Sequence, residues 1–294
     1  MRTSKLLVIG LLLEVFTALA NPSTQVPVSV PVFAPTQGVK ESQPSLPNPL
    51  HISLYHPNYI LPGYYSTAPD RAIYDGNTPE AQSLKHTEVK FQLSLKVPIV
   101  SKIDGLPISW YAAYTQLSYW QAYASSAYFR ETDYQPETFL EYAWQKTLLY
   151  GWQWQLLDVG VLHASNGQGG DLERAWNRVY VRGTFVHNRW VVYLEPWYPI
   201  HDHSYNEDNP DMSRYLGYGQ TVIGYHWGKQ TFSLMLRNYV TSGFARGAAQ
   251  VAWSFPLTHT IKGFVQVFHG YGQSLIEYNH STTAVGAGVA LNDW

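Results

Sequence analysis

The sequence predicts an all-β chain folded as a transmembrane antiparallel β-barrel. Three observations predict it: sparse charge with abundant aromatics, apolar alternation with a period of two, and no apolar run after the first segment long enough for a spanning helix. Charged residues make up 14% of the 294-residue chain, against roughly 25% in soluble domains. Aromatics run the other way, with 11 Trp and 23 Tyr. A soluble domain so composed would struggle to cover its surface with polar groups, whereas a barrel whose outer wall meets lipid has no such difficulty. The competing reading is a soluble β-sandwich with exposed aromatics, such as a sugar-binding lectin. The net charge of -2 argues against a nucleic-acid partner, which would be held through its phosphates. The absence of cysteine removes disulfides, thiolate metal sites and a cysteine nucleophile together. It also suits passage through an oxidising periplasm.

The elements follow in order. Residues 1–20 have the form of a secretory signal peptide: Arg2 and Lys5, an apolar core from Leu6 to Leu13, and the cleavage pattern Ala18-Leu19-Ala20. Glu14 is unusual near such a core. The alternative, an anchoring helix, is disfavoured by the shortness of the run. Residues 21–49, rich in Pro, Ser, Val and Gln without a helical period, read as an extended periplasmic leader. Residues 50–294 are expected to form the barrel. Thr67 to His86 reads as a polar loop between early strands.

The clearest strand is Phe91-Gln92-Leu93-Ser94-Leu95-Lys96-Val97, apolar at every odd position. Arg189 to Leu194, Thr231 to Leu236, Gln250 to Phe255 and Gly263 to Phe268 alternate less regularly. Counting such runs gives about a dozen strands of roughly ten residues, a length that suits tilted strands crossing a bilayer. Aromatics crowd the ends of the runs at Tyr119-Trp120, Trp152, Trp154, Trp197-Tyr198, Tyr225 and Trp227, where interface girdles are expected. Val285, Ala287, Val289 and Leu291 alternate with small residues in the last strand, and the chain stops at Trp294.

The chemistry concentrates in His163-Ala164-Ser165-Asn166-Gly167 and Arg174-Ala175-Trp176-Asn177-Arg178. Residues two apart on a strand share a face, so His163 and Ser165 stand side by side as general base and nucleophile. Gly167, Gly169 and Gly170 make a flexible turn. The returning strand brings Asn177 close to His163, where its amide oxygen can accept the second imidazole N–H and hold the tautomer. A neutral amide suits a membrane boundary, where an unpaired carboxylate would be costly to bury. A solvated surface histidine beside a chance serine is the plain reading of the same spacing.

These segments resemble the active-site region of the outer-membrane phospholipase A family, the bacterial β-barrel phospholipases A1/A2. So do Tyr114-Thr115-Gln116, Phe129-Arg130-Glu131-Thr132, Glu195-Pro196-Trp197-Tyr198, Asp208-Asn209-Pro210-Asp211 and Gly270-Tyr271-Gly272-Gln273-Ser274-Leu275-Ile276. The matches run in order from about Ser109 to the C-terminus. The resemblance implies a twelve-stranded barrel in the bacterial outer membrane that hydrolyses phospholipid acyl esters, requires Ca2+, and is active as a homodimer. It assigns Ser165 as nucleophile, His163 as base, Asn177 as its orienting partner and the Gly167 N–H as an oxyanion donor.

The implied calcium site departs from the family pattern. Gln168 stands where members place Arg, and since that position contributes a backbone carbonyl, Gln can replace it. Glu173 stands where members place Ser, and a carboxylate is a better ligand for a hard cation than a hydroxyl. Ser126 is the implied ligand from the partner subunit, with Ser125 a substitute because the loop is shorter. Asp208 is either a second, outer calcium position or a turn-forming residue before Asn209-Pro210. Gln116 is implied on the lipid-facing dimer surface, where an amide is favourable only when paired; the alternative faces the lumen. The rival functions are a small porin or structural barrel, and a family member that has lost catalysis.

Overall fold

In a bilayer every backbone polar group must be paired within the protein, so strands can cross only as a closed sheet. The computed structural model meets that demand; it describes residues 51–200, 209–243 and 245–294. The expected signal peptide and leader lie outside the described residues, as does Asp208. No helix among the described residues is long and apolar enough to cross a membrane.

The strands are β1 (Ser53–Leu54), β2 (Asn58–Ser66), β3 (Thr87–Val100), β4 (Ile108–Trp120), β5 (Phe129–Thr147), β6 (Gln153–Ser165), β7 (Ala175–His187), β8 (Trp190–Ile200), β9 (Gly219–Trp227), β10 (Gln230–Arg237), β11 (Ala248–Pro256), β12 (Lys262–Tyr271) and β13 (Ser281–Asn292). Each pairs antiparallel with its chain neighbour from β2 onward, and β13 returns to β2, closing a twelve-stranded barrel. The two-residue β1 takes over the pairing with β3 where β2 ends, so β1 and β2 share one interrupted position in the wall.

One end of the barrel is closed by tight connections. Asn188-Arg189 and Gly228-Lys229 link their strands with two residues each, and Asn188 and Gly228 have φ of 53° and 62°. Positive φ at the first turn position matches the twist of paired strands. The opposite end carries the longer connections, whose described parts are 67–86, 121–128, 166–174, 209–218, 238–243, 245–247 and 272–280. In outer-membrane barrels the longer loops face outward from the cell. The polar stretch from Thr67 to His86 is the loop expected there.

Alternation sorts the two faces as the sequence predicted. On β3 the exposed Leu93 faces out while Glu88, Lys90 and Ser94 are buried within. On β13 Val285, Val289 and Leu291 are exposed and Ala284 and Ala290 are buried. The interior is polar but packed. Lys90 Nζ on β3 donates to Gln266 Oε1 on β12 at 2.6 Å, across the lumen, and sits among the rings of Tyr59, Tyr64 and Tyr119. Arg182 pairs with Glu195 at 2.6 Å and Asp158 at 3.4 Å. Side chains meeting across the lumen make a filled core, as expected of so few strands.

Two of the expected girdle aromatics belong to this core instead. Tyr119 is fully buried, and its hydroxyl donates to the Gln273 carbonyl. Trp197 is buried and donates from Nε1 to the Gly217 carbonyl at 2.9 Å. Both point inward because alternation, not proximity to a strand end, sets the face. Tyr198 and Trp227 are exposed, as a girdle requires. Trp294 lies past the end of β13, its ring 5.2 Å from His56 and 5.9 Å from Tyr193.

Arg130 links strand to loop near the long-loop end. Its guanidinium donates to Glu88 at 2.8 and 3.0 Å, pairs with Glu277 at 3.0 Å and lies 4.7 Å from the Tyr119 ring centroid. Removing it strands two buried carboxylates. Arg130→Leu should therefore destabilise the barrel by about 3–5 kcal/mol, read as a lower midpoint in denaturant unfolding from detergent.

Candidate active site

The site is built on the β6–β7 pair. Antiparallel register sets His163 opposite Asn177 and Ser165 opposite Ala175. Val159 and Val161 are exposed on β6, and Val179 on β7, whereas Leu162, Ala164 and Trp176 are buried. His163, Ser165 and Asn177 therefore share the outer wall with those valines. Their strands are anchored from behind: Leu162, Ala164 and Trp176 join an interior cluster with Phe139, Tyr180 and Trp197. Gly160 makes room for it, since a Cβ there would come within 2.7 Å of both Phe139 and Tyr180.

His163 Nδ1 lies 2.8 Å from Asn177 Oδ1. A carbonyl oxygen can only accept, so Nδ1 donates and Nε2 is left as the basic nitrogen. Ser165, two residues along the same face, is the nearest hydroxyl in sequence to that ring. No hydrogen bond joins Ser165 to the ring among the described residues. Such bonds often tighten only when substrate is bound.

Past Ser165 the chain turns through Asn166 and Gly167. Gly167 has φ +64°, and a Cβ there would sit 3.0 Å from the Tyr134 ring. Glycine holds this left-handed conformation at no steric cost, whereas most residues with a Cβ are strained there. Tyr134 on β5 is in register with Ser165 on one side and with Gln116 of β4 on the other. The loop is more ordered than a flexible glycine turn: Gly170–Leu172 forms a single 3₁₀ turn.

Asn166 is buried and ties the loop both to itself and to the Glu131 carboxylate. Its backbone N–H donates to the Arg174 carbonyl at 3.0 Å and its Nδ2 to the Leu172 carbonyl at 2.8 Å. Its Oδ1 accepts from the Gln168 and Arg174 N–H groups at 3.3 and 3.0 Å. Asn209, also buried, clamps Ala175 by accepting from its N–H at 3.2 Å and donating to its carbonyl at 3.0 Å. Next along, Asp211 accepts a hydrogen bond from the Tyr278 hydroxyl at 2.9 Å. Burial and that bond push the phenol up to about 12, so Tyr278 stays a donor at neutral pH.

The remaining predicted residues are placed as follows. Gln168 Nε2 reaches Glu131 Oε2 at 3.4 Å. Glu173 begins the return toward β7, its N–H bonded to the Gly170 carbonyl at 3.0 Å. Ser126 is in the β4–β5 loop, where its hydroxyl accepts from Gln82 Nε2 at 2.6 Å. The same amide accepts from the Ser125 N–H at 3.0 Å. Gln116 accepts from the Tyr114 hydroxyl at 3.0 Å and donates to Ser118 Oγ at 3.1 Å. It alternates with the buried, inward Thr115, so it faces out and not into the lumen.

His163, Ser165, Asn177 and Gly167 thus form one outer-wall patch, with Gln168 and Glu173 in the adjoining loop. The hydrogen bond of Ser126 goes to Gln82 in the loop 67–86. No group of three or more His, Cys, Asp or Glu side chains could hold a metal among the described residues. The β6–β7 loop offers oxygen ligands: the Asp171 and Glu173 carboxylates, the Gln168 amide oxygen and backbone carbonyls. These suit a hard cation, which usually takes six to eight oxygens.

Three residues of the site escaped sequence reasoning. Asn166-Gly167 carries an ordinary turn signal, which does not reveal how many bonds the amide makes. Tyr134 and Asn209 reach the site through register and loop packing, and no local pattern announces them.

A closed barrel with a serine beside a tautomer-fixed imidazole on its outer wall defines a class: a membrane barrel equipped for chemistry at the bilayer surface. Comparison with known proteins narrows the class. Residues 36–291 match the family model described as Phospholipase A1. Phospholipase A1 of Salmonella typhimurium is 39% identical over 84% of this chain and 83% of its own length. Phospholipase A1 of Escherichia coli K12 is 38% identical over 84% and 83%. The chain also superposes on outer membrane phospholipase A from E. coli with a TM-score of 0.77 at 36% identity, covering 83% of this chain and 99% of that one. The Salmonella typhi outer membrane phospholipase, solved as a dimer with bound calcium, gives a TM-score of 0.78 at 37% identity, covering 84% and 94%. A further E. coli structure is an active-site mutant with an asparagine replaced by alanine; it is 36% identical with a TM-score of 0.78, covering 84% and 93%. The chain belongs to the phospholipase A1 family, and its fold is that of an outer-membrane phospholipase.

Gly167→Ala tests the loop geometry. Left-handed strain and the Tyr134 contact should displace the backbone beside Ser165, lowering ester hydrolysis by about tenfold or more. The melting temperature of the barrel should stay close to wild type.

Proposed function

We propose that the chain hydrolyses acyl esters of phospholipids and lysophospholipids in the outer membrane with a Ser165–His163–Asn177 triad, and that two chains pair with calcium at their junction. The observation that carries this reading is the 2.8 Å bond between His163 Nδ1 and Asn177 Oδ1, on the outer wall beside Ser165. The asparagine altered in an active-site mutant of the E. coli relative supports the role given to Asn177. The relative seen as a calcium-bound dimer supports the pairing.

The chemistry follows from the geometry. Ser165 Oγ attacks the ester carbonyl carbon while His163 Nε2 takes its proton. The Asn177 amide holds the ring and stabilises the imidazolium through the Nδ1–H bond. The Gly167 N–H, fixed by its left-handed turn, is positioned to donate to the developing oxyanion. Collapse breaks the bond to the glycerol oxygen, which leaves with the proton from His163, and water then releases the fatty acid from Ser165 by the same exchange. Val161, Val159 and Val179 continue down the wall from the site, so an acyl chain can stay in apolar surroundings while its ester reaches the serine.

Calcium, when bound, would supply positive charge beside the developing oxyanion. The Gln168 carbonyl and the Glu173 carboxylate would hold it from one chain, and Ser126 or Ser125 would complete the site from the other. Gln116 faces outward in register with Tyr134, itself in register with Ser165, a position suited to pairing two barrels close to their sites. A buried amide in lipid gains most when it meets another across an interface.

Ester hydrolysis in detergent micelles should be abolished by Ser165→Ala and by a chelator acting on wild type. Full activity in the alanine variant would remove the serine from the mechanism. Asn177→Ala should lower kcat by about a hundredfold while the protein stays folded, since the imidazole loses its orienting partner. The chain has no native cysteine, so Gln116→Cys gives an unambiguous crosslinking probe. It should form a disulfide dimer with calcium and a substrate analogue, and no dimer under those conditions would refute the proposed interface.

A further inference from the structure

We infer that Asn166 and Asn209 are positioning residues for hydrolysis: two buried amides that fix the backbone on either side of the serine without touching substrate. The inference rests on the reading of Ser165 as nucleophile and goes beyond it by assigning what holds that residue in place. Three features carry it.

The first is location. Asn166 lies between Ser165 and Gly167, so any freedom in its backbone passes directly to the nucleophile and to the N–H that faces the oxyanion. Asn209 grips Ala175, the residue directly opposite Ser165 in the β6–β7 register. Chain ends at a strand terminus would otherwise fray, because the ladder stops there and the backbone groups lose their partners.

The second is completeness. Asn166 is 4% exposed and Asn209 8% exposed. Asn166 uses its backbone N–H, both acceptor directions of Oδ1 and one N–H of its amide within the loop 166–174. These four bonds end on Leu172, Arg174 and Gln168, so the loop that would carry Gln168 and Glu173 to a cation is closed by one side chain. Asn209 makes a reciprocal pair of bonds to one residue. An amide offers a donor and an acceptor at once, whereas an ionised Asp of the same shape only accepts, so Asp cannot replace either pattern in full.

The third is direction. Both amides are buried; Asn209 is turned to backbone, and Asn166 to backbone and to the Glu131 carboxylate. A misplacement of about 1 Å in a reacting group can lower a rate by about a hundredfold. Loss of these bonds should therefore fall on kcat, while the apolar wall that holds the acyl chain is untouched.

The test is steady-state hydrolysis by the full chain in detergent with saturating calcium, alongside thermal melting of each variant. Asn166→Ala should lower kcat by about a hundredfold, with KM within about twofold of wild type and an unchanged melting temperature. Asn166→Asp keeps the two acceptor bonds but loses the donors to Leu172 and Glu131 and sets a carboxylate beside Glu131, so it too should lower kcat. Asn209→Asp should behave likewise and Asn209→Ala should be worse. If an alanine variant fails to fold, its aspartate counterpart decides by the same split: a kcat loss in a folded barrel supports the role. Wild-type kcat in folded Asn166→Ala, or a rise in KM alone, overturns the inference. Ser165→Ala run in parallel keeps the two readings apart. If it is inactive while the asparagine variants are normal, only the positioning role fails; if it is active, the triad itself fails.

Discussion

Everything in this structure follows from the demand that a sheet in lipid leave no backbone group unpaired. Closure of β13 onto β2 meets that demand, and closure forces side chains to alternate between lipid and lumen. The outer wall then favours apolar side chains, and a polar side chain on it is stabilised by a partner. The polar groups on the wall around Ser165 show that rule: His163 bonds to Asn177, and Gln116 to Tyr114 and Ser118. The site is an exception to the apolar wall, placed where β6 and β7 leave the sheet and the loop can supply further partners.

Packing behind the wall makes the exception stable. The inner faces of β6 and β7 press Leu162, Ala164 and Trp176 into an aromatic and aliphatic cluster. Charged residues elsewhere in the lumen pair across strands, as in Arg182 with Glu195 and Asp158, and Arg130 with Glu88 and Glu277. A packed lumen has no room for the wide channel of a transport barrel, so the small-porin reading finds no support here. The proposed chemistry lies on the outside because the inside is occupied.

Much of the fold was legible in the sequence because period two is a local signal. The alternation at Phe91–Val97 marked β3, and the polar run from Thr67 to His86 marked the first long loop. The pair His163 and Asn177 was legible for the same reason: one turn between two recognisable strands fixes the register. The aromatic girdle was misread at Tyr119 and Trp197, since nearness to a strand end does not determine the face. Asn166, Asn209 and Tyr134 were not legible as supports. Their roles depend on which backbone groups the loop leaves unpaired and on which strands become neighbours.

The central claim is that Ser165 is a nucleophile activated by an imidazole whose tautomer Asn177 fixes. Covalent labelling with a serine-reactive phosphonylating reagent, followed by peptide mass spectrometry, tests this most directly. A single adduct on Ser165 is expected in the presence of calcium, lost in His163→Ala. An adduct on another residue, or undiminished labelling of Ser165 without His163, would contradict it.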